Sequence, residues 1–458
     1  MWRNVSARVT WQASARNKFN VFWDEQDFCQ DPCLGVVSVY TSPESWWSVQ
    51  TQPNRLRQLS WTNPITNKVL LEAGLSFTNQ LYRTDMHREY TNPIDIPRIS
   101  ELGDTAGADS VAARVNQFAG GAFFQLTSGS LNSAIGGGAE TRDYGFYRTR
   151  ASISYVTGGH HTKFGYDGGF YEQAQTNKTN NLQLTYNYVW PAATCAATLA
   201  CGNTSLQFPE DPNNLGRRPI PNTVDYNTGS ATLNDRVLYA ALYAQDQWTL
   251  KRITASYALR YDRATSGYGE TCLSQNQFVA TAFCVPGTDG VSYNDITPRW
   301  GVNWDVRGDG KTSLKWNMGR YNNAAGISGI YANANPSRRT VNTLRRNWND
   351  ANGNRRVDCD LMNFAPNGEC AAFVTFNDTV RFGRDPLGLD AAGTPIGLAT
   401  TQCGRSEKGI PAAVQAYCAQ FGESLLEGSG RRRGEWQLGL GLQQELLPRL
   451  SAEITYNR

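Results

Sequence analysis

Six times along the chain, two stretches with large apolar side chains at every second position are joined by a turn of four or five residues. The turns read ASARN at 13–17, NPITN at 63–67, TGGH at 157–160, TLKR at 249–252, RGDG at 307–310 and LLPR at 446–449. Between one pair and the next the connections are long and polar, at roughly 24–54, 83–145, 172–235, 264–295 and 322–435. Short and long connections therefore alternate throughout. If successive strands are antiparallel, every short turn falls at one end of the sheet and every long loop at the other. Few architectures need that asymmetry.

The strands themselves have a period of two. In RITASYALRYD (252–262), Ile253, Ala255, Tyr257, Leu259 and Tyr261 share one face, and Arg252, Thr254, Ser256, Arg260 and Asp262 share the other. Leu71 to Phe77, Tyr147 to Tyr155, Trp300 to Val306 and Trp436 to Leu442 repeat the pattern. A water-soluble sheet could bury the apolar face in a core, so the alternation alone leaves the solvent open. Composition narrows it. The net charge of +3 over 458 residues excludes a typical nucleic-acid binder. No apolar run approaches the length of a membrane helix, and mean hydropathy is −0.49. An alternating strand escapes such a scan and still crosses a membrane.

Taken together, these features predict an all-β chain: an antiparallel transmembrane β-barrel domain of about 12 strands in six hairpins, with short periplasmic turns and long extracellular loops. About ten residues at roughly 3.4 Å each, tilted by about 40 to 45°, span about 25 Å, the height of the apolar band. Trp11, Trp61, Trp248 and Trp300 stand near strand ends, where interfacial girdles form. The Tyr257/Leu259 face then meets lipid, and the Ser256/Arg260 face meets the lumen. The location implied is the bacterial outer membrane, with its lipid and lipopolysaccharide as partners. A secreted β-sandwich, adhesive or glycan-binding, shares the side-chain alternation but does not require the one-sided loops.

The ten cysteines form five local pairs, Cys29/Cys33, Cys195/Cys201, Cys272/Cys284, Cys359/Cys370 and Cys403/Cys418, each inside a long connection. Disulfides persist in the periplasm and at cell surfaces. Zinc is the rival reading, but no pair is CxxC and the histidines are only His87, His160 and His161. In NDANGNRRVDCD (349–360), Asp350, Asn352, Asn354, Asp358 and Asp360 place oxygen donors at alternate positions, as a Ca²⁺ loop does. Arg355 occupies the position where the EF-hand pattern needs glycine, so a turn-rich loop stapled by Cys359 and Cys370 is the competing reading. Arg338, Arg339, Arg345 and Arg346, and Arg431 to Arg433, could meet anionic substrate or lipopolysaccharide phosphate, or simply face solvent. The His160/His161 pair falls in a turn, which argues against haem capture. No nucleophile–base or paired-carboxylate arrangement stands out, so an enzyme is not expected.

The segments FNVFWDEQDFC (19–29), LYAQDQWTL (242–250), ITPRWGVNWDVRGDGKTSLKWNMGRY (296–321) and TLRRNWNDANGNRRVDCDL (343–361) resemble the barrel of TonB-dependent outer-membrane receptors. The type most similar carries an N-terminal carboxypeptidase-regulatory-like domain and is common in Acidobacteria. The resemblance implies a barrel of about 22 strands with a plugged lumen, a TonB-contacting plug segment, and proton-gradient-driven uptake of a scarce, unspecified substrate. The chain departs from that pattern: Trp2 already begins a strand, with no signal peptide, plug or TonB box before it, and AEITYNR ends within one. The expectation is a barrel fragment of a longer reading frame, TonB being engaged through the missing plug. A passive porin-like channel is the alternative.

Overall fold

The computed structural model describes residues 2–29, 47–86, 98–102, 123–125, 132–133, 137–178, 184–189, 220–227, 231–275, 282–339, 343–354, 356–360, 366–373 and 422–458. Among the described residues the main sheet has 14 strands: twelve long antiparallel ones in sequence, with the short strands Asn132–Ser133 and Glu427–Ser429 added at its side. The first hairpins are β1 (Trp2–Gln12) with β2 (Lys18–Cys29), β3 (Trp47–Pro64) with β4 (Val69–Met86), and β5 (Gly137–Thr157) with β6 (His160–Lys178). The remaining three are β7 (Thr232–Leu250) with β8 (Ile253–Tyr268), β9 (Thr288–Asp305) with β10 (Thr312–Asn322), and β11 (Gly434–Leu447) with β12 (Leu450–Asn457). Each strand pairs with its neighbours in chain order, and among the described residues the sheet is open, with β1 and β12 at its edges.

Local chemistry explains the tight ends. Lys251, with φ 52°, and Arg449, with φ 73°, take the left-handed conformation that a two-residue hairpin turn needs. In the RGDG turn, Gly308 and Gly310 supply φ of 78° and 73°. The Asp305 carboxylate accepts both of their N–H groups, at 2.8 and 3.0 Å. All six turns read from the sequence join the strands they were expected to join.

The faces have the reverse of a soluble sheet's polarity. Leu242 is 61% exposed, Leu259 54% and Ile454 73%, all on the outward face with Phe164, Ile296 and Leu440. Lys163, Asp167, Arg260 and Asp262 alternate with them and point inward, where Lys163 pairs with Glu72 and Arg260 with both Asp167 and Asp262. About 0.8 kcal/mol per CH₂ would be lost by leaving such an outer face in water, so it requires hydrocarbon. Among the described residues no helix is long and apolar enough to cross a membrane; here the strands do so.

One polar group interrupts the outward face near the short turns. Asp246 on β7 is nearly covered. It accepts Tyr257 Oη from β8 at 2.7 Å and Thr162 Oγ1 from β6 at 2.9 Å, and His160 Nδ1 lies 2.7 Å away. Trp248 stacks on the His160 ring at 5.5 Å. His160 opens β6 rather than lying in the turn, which is Gly158 and Gly159.

The long connections hold more structure than their composition suggests. β2 runs to Cys29 and β3 starts at Trp47, so both invade the expected 24–54 loop. β5 and β6, at 21 and 19 residues, are about twice the membrane-spanning length. Short strands in three separate connections build a second, six-stranded sheet, in the order Cys370–Phe373, Thr343–Trp348, Ile220–Asn227, Leu184–Val189, Arg98–Leu102, Phe123–Gln125. Tyr186, Val224, Trp348 and Cys370 form its core.

Candidate functional site: the inner wall and the segments seated on it

The inner wall is a ladder of charged and aromatic side chains. Lys163 pairs with Glu72 at 2.9 Å, and Arg260 bridges Asp167 and Asp262 at 3.1 and 2.9 Å. The Arg148 guanidinium donates to Tyr171 Oη at 2.7 Å, and Tyr171 stacks on Tyr239. Every one of these residues falls on the face that alternation assigns to the lumen.

Toward the long-loop end, two segments fold onto this wall. The chain after β10 turns inward through a single helical turn, α1 (Ile330–Asn333), and a 3₁₀ turn at Pro336–Arg339. Asp235 on β7 anchors it: its carboxylate accepts the Asn335 amide at 2.8 Å and the Arg338 guanidinium. Tyr268 donates its hydroxyl to the Tyr331 carbonyl. The second segment, 423–430, is held by Tyr293 Oη donating to the Leu425 carbonyl at 2.9 Å and by the Gly430 N–H donating to Asp295 at 2.9 Å. Val237, Ala264, Val291, Tyr331, Ala334 and Leu426 close the apolar contact between wall and segments. A buried cluster of that kind has no place on a freely solvated wall.

This corner leaves polar atoms buried without a partner among the described residues: Tyr331 Oη, Asp295 Oδ2 and Arg432 Nε. Buried polar groups are ordinarily satisfied by protein, water or ligand. Burial pushes the Tyr331 phenol up to about 12. It is therefore a neutral hydrogen-bond donor at physiological pH.

The sequence-derived site residues divide. Cys272–Cys284 and Cys359–Cys370 are disulfides. Cys33, Cys195, Cys201, Cys403 and Cys418 lie outside the described residues, so the pairings with Cys29 and among the other four do too. Glu270 stands beside Cys272 and Cys284, but their sulfurs are joined and offer no thiolate to a metal. In the 349–360 loop, the side-chain amides of Asn352 and Asn354 both donate to Asp358 Oδ2 at 2.6 Å. Asp350 is fully buried. Glu369 reaches in from across the Cys359–Cys370 disulfide, accepting the N–H groups of Ala351 at 2.7 Å and Asp358 at 3.3 Å. Asp360 does not join this group: its N–H donates to Asn367. The amide oxygens of Asn352 and Asn354 accept the backbone N–H groups of Asn354 and Arg356, and the carboxylates of Asp350, Asp358, Asp360 and Glu369 do not gather into one ligand group among the described residues; Glu369 enters the loop although spacing alone did not suggest it.

Two of the arginines are committed elsewhere. Arg338 is the Asp235 partner, and Arg346, wholly buried, donates twice to the Ala371 carbonyl at 3.0 and 2.9 Å. The anchoring role of Asp235, Tyr268 and Tyr293 had no sequence signal. Each is one more inward residue on its strand until the segment that covers it is known.

The fold and wall define an outer-membrane β-barrel, with lipid outside and a polar lumen inside. Residues 2–383 match the family described as "Outer membrane beta barrel domain", and the chain belongs to that family. Among solved structures it is similar to the outer membrane transporter YddB of Escherichia coli, at 13% identity and TM-score 0.40 over 98% of this chain and 39% of that one. It is also similar to the siderophore receptor PiuA of Acinetobacter baumannii, at 9% identity and TM-score 0.40 over 99% and 49%. The Ferric-Catecholate import receptor Fiu of E. coli K12 matches at 12% identity and TM-score 0.39 over 70% and 47%. The chain spans less than half the length of these three. No curated protein matches it by sequence.

Proposed function

We propose that the chain is the barrel of a TonB-dependent receptor, of the type carrying a carboxypeptidase-regulatory-like domain, serving energised uptake of a scarce substrate. The observation that carries this reading is the occupied inner wall: two segments anchored through Asp235, Tyr268 and Tyr293 lie on the inward face toward the long-loop end. A polar-aromatic inner wall with segments seated on it suits selective capture better than free diffusion. Coupling to TonB would require a plug, the part of such receptors that contacts it.

A porin-like channel predicts different behaviour. In cells carrying the gene, substrate accumulation should stop when the inner-membrane proton gradient is collapsed; accumulation that continues unchanged would leave the passive channel. Calcium at the 349–360 loop belongs to the same proposal. Its support is the spacing of Asp350, Asn352, Asn354, Asp358 and Asp360 in the sequence, with the Glu369 carboxylate reaching the same loop, oxygen-bearing side chains of the kind Ca²⁺ takes.

A further inference from the structure

The wall is unzipped at one place. β9 and β10 pair from Asp305 with Ser313 up to Arg299 with Gly319, and no further. Above that point, among the described residues, Arg320, Tyr321 and Asn322 pair only with β11, and Ile296 and Pro298 only with β8. Higher still, Ser292 to Asn294 take the short strand Glu427–Ser429 as a parallel neighbour, on the edge that β10 has left.

The sequence explains where this seam starts. Asp305 donates its N–H to Arg252, at the foot of β8, and Val306 donates to Thr312 of β10. Backbone groups alternate sides along a strand, so the even-numbered residues of β9 face β10. Pro298 is one of them and has no N–H to give; it withholds the donor at the first missing rung. Pro298 stands seven residues above Asp305, and Asp295 ten. At roughly 3.4 Å per residue and about 40 to 45° of tilt, these are rises of about 18 and about 25 Å. The seam therefore lies in the outer-leaflet half of the apolar band, and the short strand caps it at the outer surface. An unpaired strand edge is costly at that depth, so a seam kept there calls for a use.

The lumen side of the cap is apolar, unlike the charged ladder below it. Val237, Ala264 and Val291 face inward there and are covered by Leu426 and Tyr331. Besides its short ladder, the cap is held by Tyr293 Oη donating to the Leu425 carbonyl and by the Gly430 N–H donating to Asp295, both at 2.9 Å. Asp295 Oδ2 and Arg432 Nε are meanwhile buried without a partner among the described residues. Burying such groups unpaired opposes closure, so water that reaches them favours release.

We propose that the seam is a lateral gate, latched by the segment 423–430, through which a small apolar solute passes between the lumen and the outer leaflet. Released, the latch bares Val237, Ala264 and Val291, and the seam joins that surface to the acyl chains. An apolar solute on this route exchanges one apolar surrounding for another, while a polar one would have to shed its water. The inference rests on the outer-membrane reading and goes beyond the uptake reading, because the solute leaves sideways through the wall.

Photolabelling tests it. The full chain in phosphatidylcholine vesicles is irradiated with an aryl diazirine dissolved in the bilayer, itself a small apolar solute, and the label is mapped by peptide mass spectrometry. The wild-type chain should carry label at Val291 and Leu426, behind the seam, as well as at outward Leu259. Tyr293→Phe keeps the ring and loses the hydrogen bond to the latch, so label behind the seam should rise about threefold to tenfold. A disulfide across the ladder, from Ser292→Cys with Glu427→Cys, should abolish it, with Leu259 labelled equally in all three chains. Label behind the seam that the cross-link leaves unchanged, or none there in wild type and Tyr293→Phe alike, overturns the gate and leaves the barrel standing. Absence of label at Leu259 as well overturns the membrane reading.

Discussion

Placing arginine at three positions of β8 should separate lipid, lumen and interface by cost alone. Leu259 is outward and 54% exposed. It stands six residues above Ile253, where β8 leaves the short turn, a rise of about 15 Å, near the middle of the band. Leu259→Arg should therefore destabilise the folded state by about 2 to 4 kcal/mol, the midplane cost of a guanidinium on a barrel's lipid face. At about 1.4 kcal/mol per decade, the folding equilibrium falls by about 30-fold to several-hundred-fold. Ile253→Arg points the same way at the boundary and should cost about 0 to 1 kcal/mol. Ser256 faces inward between Gln247 and Gly301, with water and room for a long side chain. Ser256→Arg should accordingly cost less than about 1 kcal/mol. Urea titration of each variant's folding into phospholipid vesicles, followed by tryptophan fluorescence, gives the three numbers. If Ser256→Arg costs as much as Leu259→Arg, the facing assignment fails; if it costs more, the barrel is inside out.

Four further outcomes are expected. Non-reducing peptide mapping of exported protein should find Cys272–Cys284 and Cys359–Cys370 joined, and breaking either should cost about 2 to 3 kcal/mol in the chain-entropy account; free thiols at those positions would defeat it. Millimolar calcium should slow protease cleavage in the 349–360 loop and Asp358→Ala should abolish that protection, whereas cleavage indifferent to chelator leaves only the stapled turn. Asp235→Ala strands the Asn335 amide and the Arg338 guanidinium, at a local cost of about 3 to 5 kcal/mol, so the segment at 330–339 should become cleavable while the sheet stays protected from hydrogen exchange. The raised Tyr331 phenol, at about 12, favours its neutral form when packed, so its contact with the wall should be intact below the unfolded value of about 10 and released as pH climbs through the folded value, read as the same gain in cleavage.

The strands were legible because lipid and lumen impose opposite demands at every second residue. Leu238, Leu242 and Trp248 on β7, and Leu259 and Tyr261 on β8, show that demand directly. Where the demand stops, so did the reading. Glu25, Gln26 and Asp27 continue β2 above the membrane, but polar residues facing water on both sides carry no period. Short loop strands such as Leu184–Val189 and Thr343–Trp348 gain their order only by pairing across connections far apart in sequence. The seat of 330–339 on Asp235 is likewise a long-range contact, and the GISGIYANANPS stretch is punctuated by Gly, Asn and Pro as an ordinary loop would be. The oxygen donors at 350–358 were visible through their local spacing. Glu369 was not, because only the Cys359–Cys370 bond brings it near.

The Asp246 cluster has a consequence for how this sheet assembles correctly. A strand that enters the bilayer displaced by one residue turns its apolar side chains toward the lumen and is rejected by the solvent. A displacement of two residues keeps every side chain on its proper face, so hydrophobicity is blind to it. Asp246 is not. In the native pairing it sits opposite Tyr257 on one side and Thr162 on the other, both hydroxyl donors. Slipping β8 by two would place Ala255 or Leu259 there instead, leaving a carboxylate in the acyl boundary with a methyl or isobutyl group where its hydrogen bond should be. One acid at the periplasmic rim thus proofreads the error that the membrane itself overlooks.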